Sequence, residues 1–232
     1  MNPDKVIGCI IAEDFLELNQ IYCSILDHEP NISVLASVRS GFELVKAVEI
    51  HHPDVILMDI EMESQNAGIE YCRLINQRFP EIRIVILTCH EDEERILAAF
   101  EAGAVDYLLK TDSMSNIITS ITNAYNRTSP IHSHAASVLR KKMKELGSYK
   151  EALQQFTQAF MTLTPAETGV LKLLLQGMKQ REIASKKCIE LVTVKTHVGR
   201  ILKKFEMHRT SDVMELIQTL DVSDFVEQSK SV

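Results

Sequence analysis

Five polar side chains stand at the ends of apolar runs. Glu13 and Asp14 close the run Val6 to Ala12, and Asp59 follows Val55-Ile56-Leu57-Met58. Thr88 ends the run Ile84 to Leu87, and Lys110 follows Tyr107-Leu108-Leu109. If these runs are strands of one parallel sheet, their carboxyl ends share the edge where ligands bind in open α/β sheets. Asp59 would supply a carboxylate nucleophile. Glu13, Asp14 and Asp59 offer the oxygen ligands that Mg2+ prefers. Lys110 and the Thr88 hydroxyl would neutralise and hold phosphoryl oxygens. Phosphoryl transfer is mostly positioning and electrostatics, so this set could form an aspartyl-phosphate. Singly, each residue has a plainer reading. An Asp after a strand is usually a turn residue, paired acids suit a helix start, and Thr88 and Tyr107 suit a strand and a core. The specific signal is their joint occurrence at successive strand ends.

The elements that must position them alternate. Strands are expected at Val6–Ala12, Ile32–Ser37, Val55–Met58, Ile84–Thr88 and Asp106–Leu109. Helices are expected at Phe15–Leu26, Phe42–His51, Ile69–Arg78, Glu91–Ala102 and Met114–Ala124. Ser40-Gly41-Phe42-Glu43 fits a capping box. Such (βα)5 alternation predicts an α/β, doubly wound, flavodoxin-like parallel sheet.

After Asn126 the pattern changes. Arg127-Thr128-Ser129-Pro130 is a break. A basic helical linker follows, with Gly147-Ser148 as its candidate interruption. From Leu163 the chain reads as four short helices. Thr164-Pro165-Ala166-Glu167 opens the first as a capping box with Pro at the first position, and Gly177 suits its C-terminal end. Helices follow at Gln180–Ser185, Val192–Phe205 and Ser211–Leu220. The expected layout is 1–126 for the α/β domain, 127–161 for the linker, 162–220 for an all-α domain and 221–232 for a polar, frayed tail.

Charge divides the chain at the same place. Residues 1–126 carry 8 Lys+Arg against 21 Asp+Glu, a net of −13, and the remainder carries 17 against 11, a net of +6. The basic half is the one expected to meet a polyanion. An acidic half could also cover a basic helix in cis. The five cysteines are scattered, as expected of reduced cytosolic thiols and not of a disulfide frame or zinc site. No apolar stretch reaches the roughly 18 residues of a membrane span, and Met1–Lys5 lacks the marks of a secretory leader.

In the basic half, Gln180-Arg181-Glu182-Ile183-Ala184, a turn, and Val192-Thr193-Val194-Lys195-Thr196-His197-Val198 fit a helix-turn-helix. Its second helix carries Lys195, Thr196, His197, Arg200, Lys203 and Lys204 as candidate DNA contacts. A solvated basic helix face is the plainer reading.

Two resemblances join these observations. Residues 5–125 resemble the receiver domain of two-component response regulators: Glu13-Asp14 fits the acidic pair, Asp59 the phosphoacceptor, Thr88 the switch hydroxyl, and Ala102 to Lys110 the last-strand signature. The resemblance implies Mg2+ held by Glu13, Asp14, Asp59 and the backbone carbonyl of Glu61, with Tyr107 as an aromatic switch. Residues 163–216, through Leu163 to Glu167, Glu182 to Ala184, Thr193 to His197 and Arg209-Thr210, resemble the LuxR-type DNA-binding domain. The whole chain resembles a NarL/FixJ-type response regulator. It departs from the common pattern in several places. Glu63 stands where Pro is usual, and the loop to Gly68 is one residue longer. Cys89 replaces a small residue, and Thr111 stands where many receivers have proline. Gly199 replaces a basic side chain, and Glu190 and Lys179 replace capping residues.

The resemblance implies a cytoplasmic transcription regulator, not an enzyme acting on outside substrates. Its Asp59 would be phosphorylated by a sensor histidine kinase. It would dimerise and bind double-stranded DNA at an inverted repeat. The alternatives are a phosphorylation-independent regulator whose receiver only dimerises, and a metal-dependent phosphohydrolase using Asp59.

Overall fold

The computed structural model describes residues 6–128 and 131–229. Ser129 and Pro130 of the expected break, and Met1–Lys5, lie outside them. The chain divides into two compact units between Lys141 and Lys142.

The first unit alternates strand and helix: β1 (Ile7–Ala12), α1 (Leu16–Leu26), β2 (Ile32–Val38), α2 (Gly41–His51), β3 (Val55–Met58), α3 (Ala67–Arg78), β4 (Arg83–Thr88), α4 (Glu93–Ala102), β5 (Asp106–Leu109) and α5 (Met114–Asn126). The strands pair in the order β2-β1-β3-β4-β5, all parallel. Such a sheet is covered on both faces, so its strands read as unbroken apolar runs. Successive side chains serve opposite faces. Ile10, Ile56 and Ile84 pack with Leu44, Cys72 and Ile96 of α2, α3 and α4. Ile11, Leu57 and Val85 pack with Tyr22, Leu26 and Ile117 of α1 and α5. Truncating one of these to Ala would cost about 2–5 kcal/mol.

Local chemistry fixes the helix starts. Ser40 caps α2 by accepting from Glu43 N (3.3 Å), but the Glu43 carboxylate reaches Arg39 N (3.0 Å) instead of Ser40 N, so the box closes one residue early. Asp92 accepts from Arg95 N (2.9 Å), which starts α4 two residues later than expected. Gly68 lets α3 approach β3: a Cβ there would lie 2.0 Å from the Asp59 carbonyl oxygen.

The expected interruption at Gly147 does not occur, since α6 runs from Ser133 to Met161. One glycine costs about 1 kcal/mol relative to Ala, too little to break a helix anchored elsewhere. The middle of the expected linker, 141–151, is exposed, while its two ends enter the cores of the units. Ala135 and Val138 belong to the first unit's core, Phe156 and Ala159 to the second's.

The second unit contains α7 (Pro165–Leu175), α8 (Gln180–Lys187), α9 (Leu191–Lys204), α10 (Thr210–Thr219) and α11 (Ser223–Gln228). The Thr164–Glu167 capping box forms as expected, and Gly177 follows α7 at φ +79°. Glu190 makes no side-chain cap for α9. At Lys179 only the Glu182 carboxylate contributes, accepting the Lys179 N–H at 2.7 Å, because an ammonium cannot accept. Within the tail expected to fray, Ser223–Gln228 forms α11, with Val226 fully buried and Phe225 5.5 Å from Phe160 between ring centroids, and residues 230–232 lie outside the described residues.

Candidate functional site

Parallel register aligns the strand ends. Ala12 pairs with Met58, Met58 with Ile86, and Thr88 with Leu109. The ladder continues one step further: Asp59 N donates to Ala12 O (2.9 Å) and Lys110 N to Thr88 O (2.8 Å). The residues that follow each apolar run are therefore delivered to one edge.

There, Lys110 Nζ lies 2.7 Å from Asp59 Oδ2 and 2.7 Å from Glu13 Oε2. Asp59 and Glu13 are buried and Asp14 is half-buried. Asp59 Oδ1 accepts from Ile60 N (2.7 Å) and Glu13 Oε1 from Phe15 N (3.3 Å), which orients both carboxylates. Oxygens of Glu13, Asp14 and Asp59 all lie within 4.8 Å of one another. Three carboxylates face one ammonium, so full ionisation leaves a net −2. A hard divalent cation with a few water ligands fits that donor set and charge. Burial pushes the Glu13 carboxyl up despite Lys110 beside it. Burial opposes charge on Lys110 too, but its bonds to Asp59 and Glu13 outweigh this and hold it above its ordinary value. The cluster opens to a surface depression also lined by Glu61 and Cys89.

Thr88 and Tyr107 stand beside the cluster. The Thr88 hydroxyl is fully buried and accepts weakly from His90 N (3.5 Å). Tyr107 is buried, and its hydroxyl donates to His90 O (2.8 Å). Burial, reinforced by Asp92, pushes its phenol up. The Glu61 carboxylate turns away to His90 Nε2 (2.8 Å) and Arg95 (3.4 Å), so its side chain does not join the acidic cluster.

Sequence reasoning missed Asn19. Its amide donates to Glu13 O (3.0 Å) and Val38 O (3.2 Å) from the buried face of α1, fixing the loop that carries the acidic pair. A polar residue in an apolar helical stripe was the available signal.

In the second unit, Lys195, Thr196, Arg200 and Lys203 are exposed on α9, while Val194, Val198 and Ile201 fill the core. That spacing makes one basic face. The Thr196 hydroxyl bonds Val192 O (2.9 Å) in its own helix. Two other candidates stand apart. His197 is half-buried, with Nδ1 enclosed and without a hydrogen-bond partner. Lys204 points inward, its Nζ 2.6 Å from both Glu167 Oε2 and Thr162 O. Burial opposes ionisation of Glu167, but Lys204 and the Thr164 N–H outweigh it and hold the carboxyl low.

Comparison with known proteins agrees with this division. The response regulator receiver domain matches residues 9–122, and the family of bacterial regulatory proteins of the luxR type matches residues 161–217. The response regulator protein VraR of Staphylococcus saprophyticus is 32% identical, over 84% of this chain and 88% of its own. The transcriptional regulatory protein DegU of Brevibacillus brevis is 31% identical, over 94% of this chain and 95% of its own. The solved RcsB response regulator of Salmonella typhimurium shares the fold, with a TM-score of 0.55 and 16% identity over 93% of this chain and 99% of its own. The receiver match on the carboxylate-bearing unit, the luxR match on the basic helical unit and relatives aligned across both make this chain a member of the two-component response regulators of the NarL/FixJ type.

Proposed function

We propose that this response regulator is switched by phosphorylation of Asp59 and that the switch controls binding of double-stranded DNA by α9. The observation that carries the reading is the Lys110 ammonium shared between Asp59 and Glu13 at the carboxyl edge of the sheet. Asp59 attacks the phosphorus of a sensor kinase's phosphohistidine. The new O–P bond forms as the P–N bond breaks, and the imidazole leaves with the electron pair. Glu13, Asp14, Asp59 and the Glu61 carbonyl would hold Mg2+, which neutralises phosphoryl charge when bound. Lys110 stays beside Asp59 and pairs with a phosphoryl oxygen. The Thr88 hydroxyl would donate to another, which requires it to turn from His90 N. Tyr107 and its bond to His90 O follow that movement. The chain promotes its own phosphoryl transfer and dephosphorylation, with no separate substrate.

In the second unit, Lys195, Thr196 and Arg200 would face base edges or phosphates and Lys203 the backbone. Two copies would read an inverted repeat with half-sites about one helical turn apart. A sensor kinase as phosphodonor and double-stranded DNA as target would both be met in the bacterial cytoplasm. Phosphorylation shifts the equilibrium only by its differential affinity for the two states. The test is mass and DNA affinity with and without a phosphodonor, in wild type and Asp59→Asn. Equal behaviour of the two proteins under verified phosphorylation would leave the receiver as a phosphorylation-independent dimerisation module.

A further inference from the structure

Two loops carry the carboxylates of the acidic cluster and the Glu61 carbonyl. Neither is held by regular structure at those residues. The segment Arg39 to Gly41, running from the end of β2 into the first residue of α2, bonds to both. Arg39 Nε donates to Asp14 O at 3.0 Å. Gly41 N donates to the Glu63 carboxylate, with both oxygens at 3.1 Å. Gly41 is the first residue of α2, where backbone N–H groups have no partner within the helix and a carboxylate is favoured by the helix dipole. The Tyr71 ring closes over the same point: a Cβ on Gly41 would lie 1.8 Å from it. Arg39 is in turn held by the Glu43 carboxylate through its own N–H (3.0 Å).

We propose that Glu63 and Arg39 are positioning residues for the divalent-cation site. They act through the backbone, by bracing the Asp14 and Glu61 loops against the start of α2. This rests on the cation reading of the Glu13, Asp14 and Asp59 cluster. Neither side chain belongs to the carboxylate set that could hold the ion. The brace also gives a physical reason for the departure at this position. Proline fixes its own φ without help. Glu63 fixes the loop by a bond to a neighbouring element, and the bond accommodates a loop one residue longer. Because Glu63 is exposed, the brace can be removed without opening the core.

The test is calorimetric titration of the full-length protein with Mg2+, alongside thermal melts. Outer residues that orient ligands typically change metal affinity 10- to 100-fold when lost. Glu63→Ala is expected to weaken Mg2+ binding about tenfold at a near-wild-type melting temperature, and Arg39→Met is expected to weaken it in the same direction. Glu63→Gln keeps an oxygen that accepts from Gly41 N and should bind nearly as wild type. Wild-type affinity in Glu63→Ala overturns the proposal. So does Glu63→Gln as weak as Glu63→Ala, because loss of charge and not of the bond would then explain the change. If Glu63→Ala melts early, Glu63→Gln and Arg39→Met decide by the same comparison. Asp59→Asn is the reference. If it binds Mg2+ as wild type does, the cation reading itself falls, independently of Glu63.

Discussion

Lys110 and Lys204 both direct an ammonium at buried carboxylates, in different units, and the surroundings make them opposites. Lys204 meets one carboxylate, Glu167, whose Oε2 also accepts from Thr164 N. Charge balances there, and the pair closes α7 against the end of α9. Lys110 meets two carboxylates with a third close by, and the balance fails by two. A balanced buried pair is a structural device. An unbalanced one at a sheet edge, open to solvent, is where the proposed function puts a cation and a transferred phosphoryl group.

That contrast is easiest to break by removing each ammonium. Lys204→Met should destabilise the protein by about 3 kcal/mol, since breaking a buried pair strands its partner. Urea denaturation would show it, and added Mg2+ should restore nothing. Lys110→Met should also destabilise, but Mg2+ should recover most of the loss, and Mg2+ affinity should rise because a competing cation is gone. If Mg2+ rescues both variants or neither, the contrast fails.

Acid titration sharpens it further. The Glu167 carboxyl is held low, so its contribution to stability is present above the unfolded carboxylate range and is lost as pH falls through its folded value. The Glu13 carboxyl is raised, so the fold favours its protonated form. Its contribution to stability declines as pH rises from the ordinary carboxylate range through the raised value. Mg2+ needs the ionised form. Its affinity should therefore keep rising with pH above the range where an ordinary glutamate is already ionised. Calorimetry at stepped pH checks this, and a flat profile above that range would contradict it.

DNA binding separates the lysines again. Lys203→Ala should reduce the salt slope of binding by about one and weaken all sequences alike. Lys204→Met should leave the slope unchanged at temperatures where the protein is folded, since its ammonium is spent on Glu167. The smallest expected effect is at Gly199, where a Cβ meets nothing within 4 Å. Gly199→Ala should stabilise α9 by up to about 1 kcal/mol, visible as a small rise in melting temperature.

The sheet and the gathering of its strand-end residues are legible in the sequence because their signals are local. Each strand is an apolar run ended by a polar residue, and parallel pairing brings those ends together without further information. What escaped depends on partners far along the chain. Lys204 lies on a basic helix by periodicity, and only the fold reveals Glu167, 37 positions earlier, beneath it. Asn19 and Arg39 act on the acidic loop through backbone oxygens, which leave no mark in the composition. The α11 helix is hidden in the sequence because Phe225 and Val226 alone are too short an apolar signal. Gly147 does not break α6, since a local preference of about 1 kcal/mol yields to packing on either side.

The most direct test of the central claim is sedimentation and DNA binding of the full-length protein with Mg2+, with and without acetyl phosphate, in wild type and Asp59→Asn. The account predicts that phosphodonor makes wild type dimerise and bind DNA more tightly, while Asp59→Asn does neither. Identical responses of the two proteins, with phosphorylation of the wild type verified by mass, would contradict it.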